Sequence, residues 1–342
     1  MKRRELLLEL SLALGGAPAL TLLRKLNPDE EARLARVVRA EGRMDAETVA
    51  TIEKLTAQCR RLDDTYGPAK VLPVVEAQRN MVSRLLGTQS LLPALRTRLI
   101  HAYAELAQLA GYLHFDRMDY SAAARSFDGG LDAARESGDA VLVAYIHHWH
   151  SGMASFSGHA GKAFDHAFAA EGWARRGGSG LVWACIGIAE AWAHGVGGNT
   201  TEAMRRIEAA RNWAEKPTSV EPAYLYWVEE SRAVEGASCF VYNALGRAQN
   251  AADTAASQLA TLGSEYSRER AFGLIHHGMG LIQSKEIPEA TAKLSEAVAV
   301  MRTHSSARLV HMLAQARKRL EPWSGNSYVR DLDERLRSVA IV

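Results

Sequence analysis

The stretch LAGYLHFDRMDYSAAARSFDGGLDAARESG, residues 109–138, reads as two antiparallel helices joined by the tight turn Asp116-Arg117-Met118-Asp119. Gly111 lies in the first helix, and Ala123 and Phe127 lie in the second. Two helices approach closely only where one side is nearly bare, and a bulky neighbour then fills the adjoining groove. Working outward, an Ala after a comparable turn recurs at Ala163, Ala203, Ala251 and Ala290, giving spacings of 40, 40, 48 and 39 residues from Ala123 onward. The turns are Asp119-Tyr120, Gly158-His159, Gly197-Gly198-Asn199, Leu245-Gly246 and Ile287-Pro288, with Asn199 placed as a cap and Pro288 in a first turn. The expectation is at least five helix pairs, with Ala123, Ala163, Ala203 and Ala290 buried against the first helix of their own pair.

A Gly in the first helix followed by Ala-x3-aromatic in the second resembles the tetratricopeptide repeat (TPR), although a spacing near 40 exceeds the roughly 34 residues of the standard repeat. The resemblance implies an all-α fold, a TPR-like right-handed superhelix of antiparallel helix pairs. On that frame residues 1–90 hold N-terminal helices and an atypical capping pair, residues 91–304 hold about five repeats, and residues 305–342 hold capping helices. The capping pair begins with a helix after Asp45 that carries Val49, Ile52, Leu55, Cys59 and Leu62 on one face. Gly67-Pro68 breaks it, and a second helix carries Leu72, Val75, Arg79, Val82 and Leu86. Lys216-Pro217-Thr218-Ser219 and Glu221-Pro222 fill the widest gap between repeats and read as a surface loop.

The composition agrees with a helical protein. Of 342 residues, 47% are hydrophobic and 23% charged, and no segment shows the period-two alternation of a strand. A net charge of +2 creates no overall pull towards nucleic acid or anionic membrane. Cys59, Cys185 and Cys239 are odd in number and far apart, which suits a reducing cytoplasm better than disulfides or a zinc site. At the N-terminus, Lys2-Arg3-Arg4, an apolar run and Ala17-Pro18-Ala19 have the outline of an export signal. Glu5 and Glu9 interrupt the run, and the uncharged span 10–23 is too short to cross a bilayer, so an amphipathic packing or linker helix is expected and no membrane. Asn27-Pro28-Asp29-Glu30 is a helix start.

Several short matches extend the resemblance. Arg3-Arg4-Glu5-Leu6-Leu7, Asp45-Ala46-Glu47-Thr48, Gly111 with Ala123-Ala124-Arg125, Ser137-Gly138-Asp139 and Ser305-Ser306-Ala307-Arg308 together resemble one family. It is the C-terminal sensor region of actinobacterial transcriptional regulators of the Xre type, in which a helix-turn-helix precedes a TPR array. In that family a DNA-binding domain precedes the Arg-Arg-Glu-Leu-Leu stretch, which here opens the sequence. The resemblance therefore implies the sensing half, linked to transcriptional regulation, with no direct DNA binding expected. The basic residues Arg308, Arg317, Lys318 and Arg319 read accordingly as a solvated capping helix.

Chemistry-bearing motifs are sparse. His147 and His150 share a helix face, as do Glu190 and His194, but each pair lacks the third ligand a metal needs, and His276-His277 has the same weakness. Gly177-Gly178-Ser179-Gly180 lacks the Lys and strand of a phosphate loop. The expectation is no enzyme, no cofactor and no metal. In TPR arrays the concave face is lined by the first helix of each pair. Carried across, that family pattern nominates Tyr112, Phe115, Tyr145, His148, Phe156, Trp192, Phe240, Asn243 and Met279 as ligand-binding. Aromatics and a Met with few charges suit a largely apolar peptide or small molecule. The expected protein is thus a non-enzymatic sensor or, alternatively, a constitutive adaptor holding a partner protein segment, with an enzyme third. A homodimer stays open.

Overall fold

The computed structural model describes residues 16–39, 42–88, 90–216, 218, 221–230, 232–302 and 306–337. Among these residues the fold is all-α, with seventeen α-helices and no strand. Of the N-terminal stretch expected to form an amphipathic packing or linker helix, residues 1–15 lie outside the described residues. None of the described helices is long and apolar enough to cross a membrane. The chain divides into two compact units, Met1–Ile146 and His147–Val342.

In the first unit, α1 (Gly16–Leu23) buries Leu22 and Leu23, and α2 (Pro28–Val38) starts with the reciprocal cap between Asn27 and Glu30. Asp45 accepts the backbone N–H of Thr48 at 2.7 Å and starts α3 (Ala46–Tyr66). Its expected apolar face, Val49 to Leu62, is buried as a whole. α4 (Pro68–Thr88) buries Leu72, Val75 and Val82, but Leu85 takes the core position expected for Leu86, and Arg79 is half-buried beside Glu76 at 2.6 Å. α5 (Pro93–Asp116) and α6 (Tyr120–Ser137) are the quoted stretch. A Cβ added at Gly111 would sit 2.4 Å from the Phe127 ring, and one at Gly130 would sit 3.4 Å from Ala107. Those two contacts run in opposite chain directions, so the helices are antiparallel.

α7 (Ala140–Phe156) crosses the boundary between the units. The second unit continues with α8 (Ala160–Ala174), α9 (Gly180–Val196), α10 (Thr200–Ala214), α11 (Trp227–Glu230), α12 (Ala233–Ala244), α13 (Ala248–Thr261), α14 (Ser267–Gln283), α15 (Ile287–Met301), α16 (Ala307–Arg319) and α17 (Ser327–Arg337). Adjacent helices pack in pairs: Gly187 against Ala210, Gly236 against Gln258, and Gly278 against Leu294. Arg317 of α16 donates to Asp333 of α17 at 2.8 Å, which ties the last two helices together.

The repeat shows most plainly in the turns. Met118, Gly158, Gly198, Gly246 and Lys285 occupy left-handed backbone (φ 61°, 77°, 75°, 68° and 65°), at the same spacings of 40, 40, 48 and 39 residues as the alanines. In each turn the next residue donates its N–H back to the preceding helix: Asp119 to His114 O, His159 to Ala154 O, Asn199 to His194 O, Arg247 to Tyr242 O and Glu286 to Leu281 O, all at 2.8–2.9 Å. The carbonyls of those same five residues accept the N–H of Ala123, Ala163, Ala203, Ala251 and Ala290. All five alanines are 0% exposed.

Small residues face these alanines from the first helices. Ser151 donates its hydroxyl to Ala163 O at 2.8 Å, and the Cys239 thiol reaches Ala251 O at 3.8 Å. Gly278 offers the same closeness to Ala290.

Candidate functional site

The residues nominated from the sequence fall in both units. In Met1–Ile146, Tyr112, Phe115 and Tyr145 are buried, and Phe115 lies 6.3 Å from the Tyr120 ring. In the second unit the nominated residues draw together into two neighbouring groups of rings.

The first group centres on His148, which is fully buried on α7. Its Nδ1–H donates to the Cys185 carbonyl at 2.7 Å, which leaves Nε2 as the acceptor nitrogen of the neutral ring. Burial pushes its pKa down to about 4, so the ring is neutral at ordinary pH. Trp149, Trp192 and Trp227 surround it at centroid distances of 4.9, 5.2 and 6.1 Å. Trp149 also lies 5.4 Å from Trp227 and 6.4 Å from Trp192. Trp192 fits because Gly152 has no side chain; a Cβ there would meet the indole at 2.7 Å. Trp192 and Trp227 are half-buried.

The second group joins α7, α12, α14 and α16. Phe156 stacks on Phe240 at 6.4 Å and lies 6.0 Å from His311. Phe240 meets the edge of His276 at 6.3 Å, and the Arg308 guanidinium sits 4.7 Å over Phe272 and 5.9 Å over Phe156. Asn243 donates to His276 O at 3.1 Å, and Gln283 donates to Asn243 Oδ1 at 3.2 Å, so this part of the floor is a fixed polar network. Met279 is buried in the core against which Phe156 and Phe272 pack. Trp192 and Phe240 share a further apolar cluster on Ala191, Ile207 and Val241, which links the two groups.

Sequence reasoning passed over Trp149, Trp227, His276, Arg308 and His311 as members of this site. Trp149 stands inside the His147–His150 run. Trp227 belongs to α11, a few residues beyond the Lys216–Pro222 stretch read as a surface loop. The loop is anchored by Glu221, whose carboxylate accepts the N–H of Gly180 at the start of α9 at 2.8 Å and that of Thr218 within the loop at 2.7 Å.

The histidines and acids weighed as metal ligands make other contacts. His147 Nδ1 meets His166 Nδ1 at 3.1 Å, and His150 stacks on His166 at 4.3 Å. Burial, then the neighbouring His166 and His147, push the His150 pKa down to about 3. Glu190 pairs with Arg206 at 2.7 Å while burial raises its pKa to about 6, and His194 meets the edge of Phe164 at 4.7 Å. Among the described residues no three His, Cys, Asp or Glu side chains are placed to hold a metal ion. A separate cavity of about 180 Å³ lies in the first unit between α2 and α4, lined by Val37, Met81, Leu85 and Arg84. Comparison of the chain with protein-family models and with curated protein sequences finds no match.

Proposed function

We propose that this chain is a non-enzymatic, TPR-type sensor that binds a largely apolar small molecule or peptide segment and serves transcriptional regulation in the cytoplasm. One observation carries the reading. Half-buried aromatic rings from successive first helices, Phe156 of α7, Trp192 of α9, Phe240 of α12 and Phe272 of α14, form a linked strip in the second unit. Each ring packs on the core yet leaves part of its surface accessible. Holding them half-open maintains exposed apolar area, which suits a ligand supplying the missing contacts. The buried alanines and repeating turns are what a right-handed TPR-like superhelix requires, and in such an array the first helices line the concave face.

Thermal melting of wild type and Trp192→Ala, each with and without ligand fractions from native cell extract, tests this. A ligand that prefers the native state raises the midpoint by mass action. Trp192→Ala should fold, because truncating a half-buried ring costs less than the about 3–5 kcal/mol of a fully buried one, and it should lose the ligand-induced rise. A variant that unfolds, or that responds to ligand as wild type does, would overturn the assignment.

A further inference from the structure

The widest spacing of the repeat, 48 residues where the two before it have 40, falls between Ala203 and Ala251 and holds a stretch outside the helix pairs. Residues 221–230 form a 3-10 turn (Ala223–Leu225) and the four-residue α11, and they are tied down at three points. At the start, the Glu221 carboxylate accepts the N–H groups of Gly180 and Leu181 at 2.8 and 3.4 Å and the hydroxyl of Ser179. It also accepts the N–H and the hydroxyl of Thr218, both at 2.7 Å. Burial opposes its ionisation, but the hydrogen bonds from Ser179, Thr218 and Gly180 outweigh that and hold the carboxyl below its usual range. Gly180 leaves room for this contact, since a Cβ there would meet Lys216 O at 2.9 Å. In the middle, Tyr224, Leu225 and Val228 are buried, and the Trp227 ring lies 6.1 Å from His148 and 5.4 Å from Trp149. At the end, Arg232 turns the chain into α12 with a left-handed backbone (φ 55°), and its carbonyl accepts Gln258 Nε2–H at 3.3 Å.

We infer that residues 221–230 are a lid: Glu221 is its latch, the Arg232 turn its hinge, and Trp227 the part that covers His148 and Trp149. The covered rings stand on α7, a helix of the repeat, whereas the lid is an insertion that lifts without parting a helix pair. While the latch holds, the chain's own Trp227 occupies the face of the first ring group; when it opens, His148 and Trp149 are uncovered beside Trp192. That the lid controls ligand access rests on the sensor reading above, while its motion does not. Cys185 reports on that motion. Its carbonyl accepts His148 Nδ1–H at 2.7 Å, and burial followed by the charge of Glu221 raises its thiol pKa, so the residue stands between the latch and a covered ring.

Thiol labelling of the full chain, read cysteine by cysteine in a mass spectrometer alongside hydrogen exchange, tests the lid in Glu221→Gln and Thr218→Val. Glu221→Gln removes the charge of the latch. Thr218→Val removes one exposed hydroxyl donor, leaves the charge beside Cys185 in place, and keeps the test open if Glu221→Gln fails to fold. In wild type the amides of residues 221–230 should exchange ahead of those in α9 and α12. Glu221→Gln should speed both that exchange and Cys185 labelling by about tenfold or more, and Thr218→Val by about threefold or more, as expected when charge-assisted hydrogen bonds are lost. Cys59 and Cys239 should label at wild-type rates in both variants. Equal acceleration at all three cysteines would mean that these residues support the whole fold, and it would overturn the lid. So would unchanged exchange of residues 221–230 in both variants, or faster labelling confined to Glu221→Gln, which is the effect of altered charge on the thiol alone. No ligand enters the measurement, so failure of the lid leaves the sensor reading to its melting test, and failure of that test leaves the lid standing.

Discussion

A single methyl group at residue 111 measures how closely the helices of the first repeat approach. The Cβ that Ala would bring there lies 2.4 Å from the ring of Phe127, which is 0% exposed and has nowhere to swing. Gly111→Ala should therefore destabilise the protein by about 1–3 kcal/mol through overpacking, despite the better helix propensity of Ala. Gly129, in the same pair of helices, supplies the control, because a Cβ there meets nothing within 4 Å. Gly129→Ala should stabilise by about 0.5–1 kcal/mol. Denaturant midpoints of both variants check the pair, and the same sign for both would contradict the packing. Gly111 and Phe127 were legible because both ends of the contact lie within one short stretch. His166 was not, since its approach to His147 and His150 depends on how α8 crosses α7, and nothing local records that crossing.

At the scale of the helix pair, five turns share one hydrogen-bond pattern but differ in residue at the left-handed position. Three have Gly, while Met118 and Lys285 hold side chains at φ 61° and 65°. A left-handed L-residue costs about 1–2 kcal/mol, and Gly loses roughly 0.5–1 kcal/mol more backbone entropy on folding. Met118→Gly should then raise stability by about 0.5–1 kcal/mol, measurable as a higher thermal midpoint; a lower one would mean the Met side chain holds the turn in place. Turns of this kind were readable, since Asp, Gly, Asn and Pro announce them. The segment between α10 and α12 was less so. It contains a 3-10 turn at Ala223–Leu225 and the four-residue α11, too short for any helical period to show. Its Trp227 reaches the site only through the long spacing that the alanines had already marked. Arg308 was read as part of a solvated basic helix because charge alone says nothing of which rings a neighbouring helix will present.

For the whole molecule, the buried histidines decide the response to acid. Burial lowers His148 and His276 to about 4, and burial followed by neighbouring histidines lowers His150 to about 3. All three are neutral when folded, yet they protonate near pH 6.5 in the unfolded chain. Their stabilising effect is complete above that pH and fades as pH falls from about 6.5 towards 4, at up to about 1.4 kcal/mol per histidine per pH unit. His101 runs the other way. Burial lowers its pKa, but Asp139 at 2.9 Å and the charges of Glu105 and Asp139 outweigh that and leave it raised. Its contribution is complete below the unfolded pKa and is lost as pH rises through the folded value. His194 and His277 are also lowered by burial, while Glu190, raised to about 6 by burial, works with His101 in the opposite direction. With five histidines against these two groups, stability should drop between pH 6.5 and 5, and urea midpoints across that range would show it. A flat profile there would contradict the burial of these rings.

Cys59, Cys185 and Cys239 are all buried, and burial pushes the Cys59 and Cys239 thiols up to about 12 and the Cys185 thiol higher still. Closed, they are almost wholly without the thiolate that oxidants and alkylating reagents attack. Each therefore reacts only at moments when its own neighbourhood has come apart. Cys59 sits in one compact unit and the other two in the second, so the chain carries a separate clock in each. The rate at which a thiol is consumed records how often its unit breathes, and oxidative wear on the protein becomes a count of those openings.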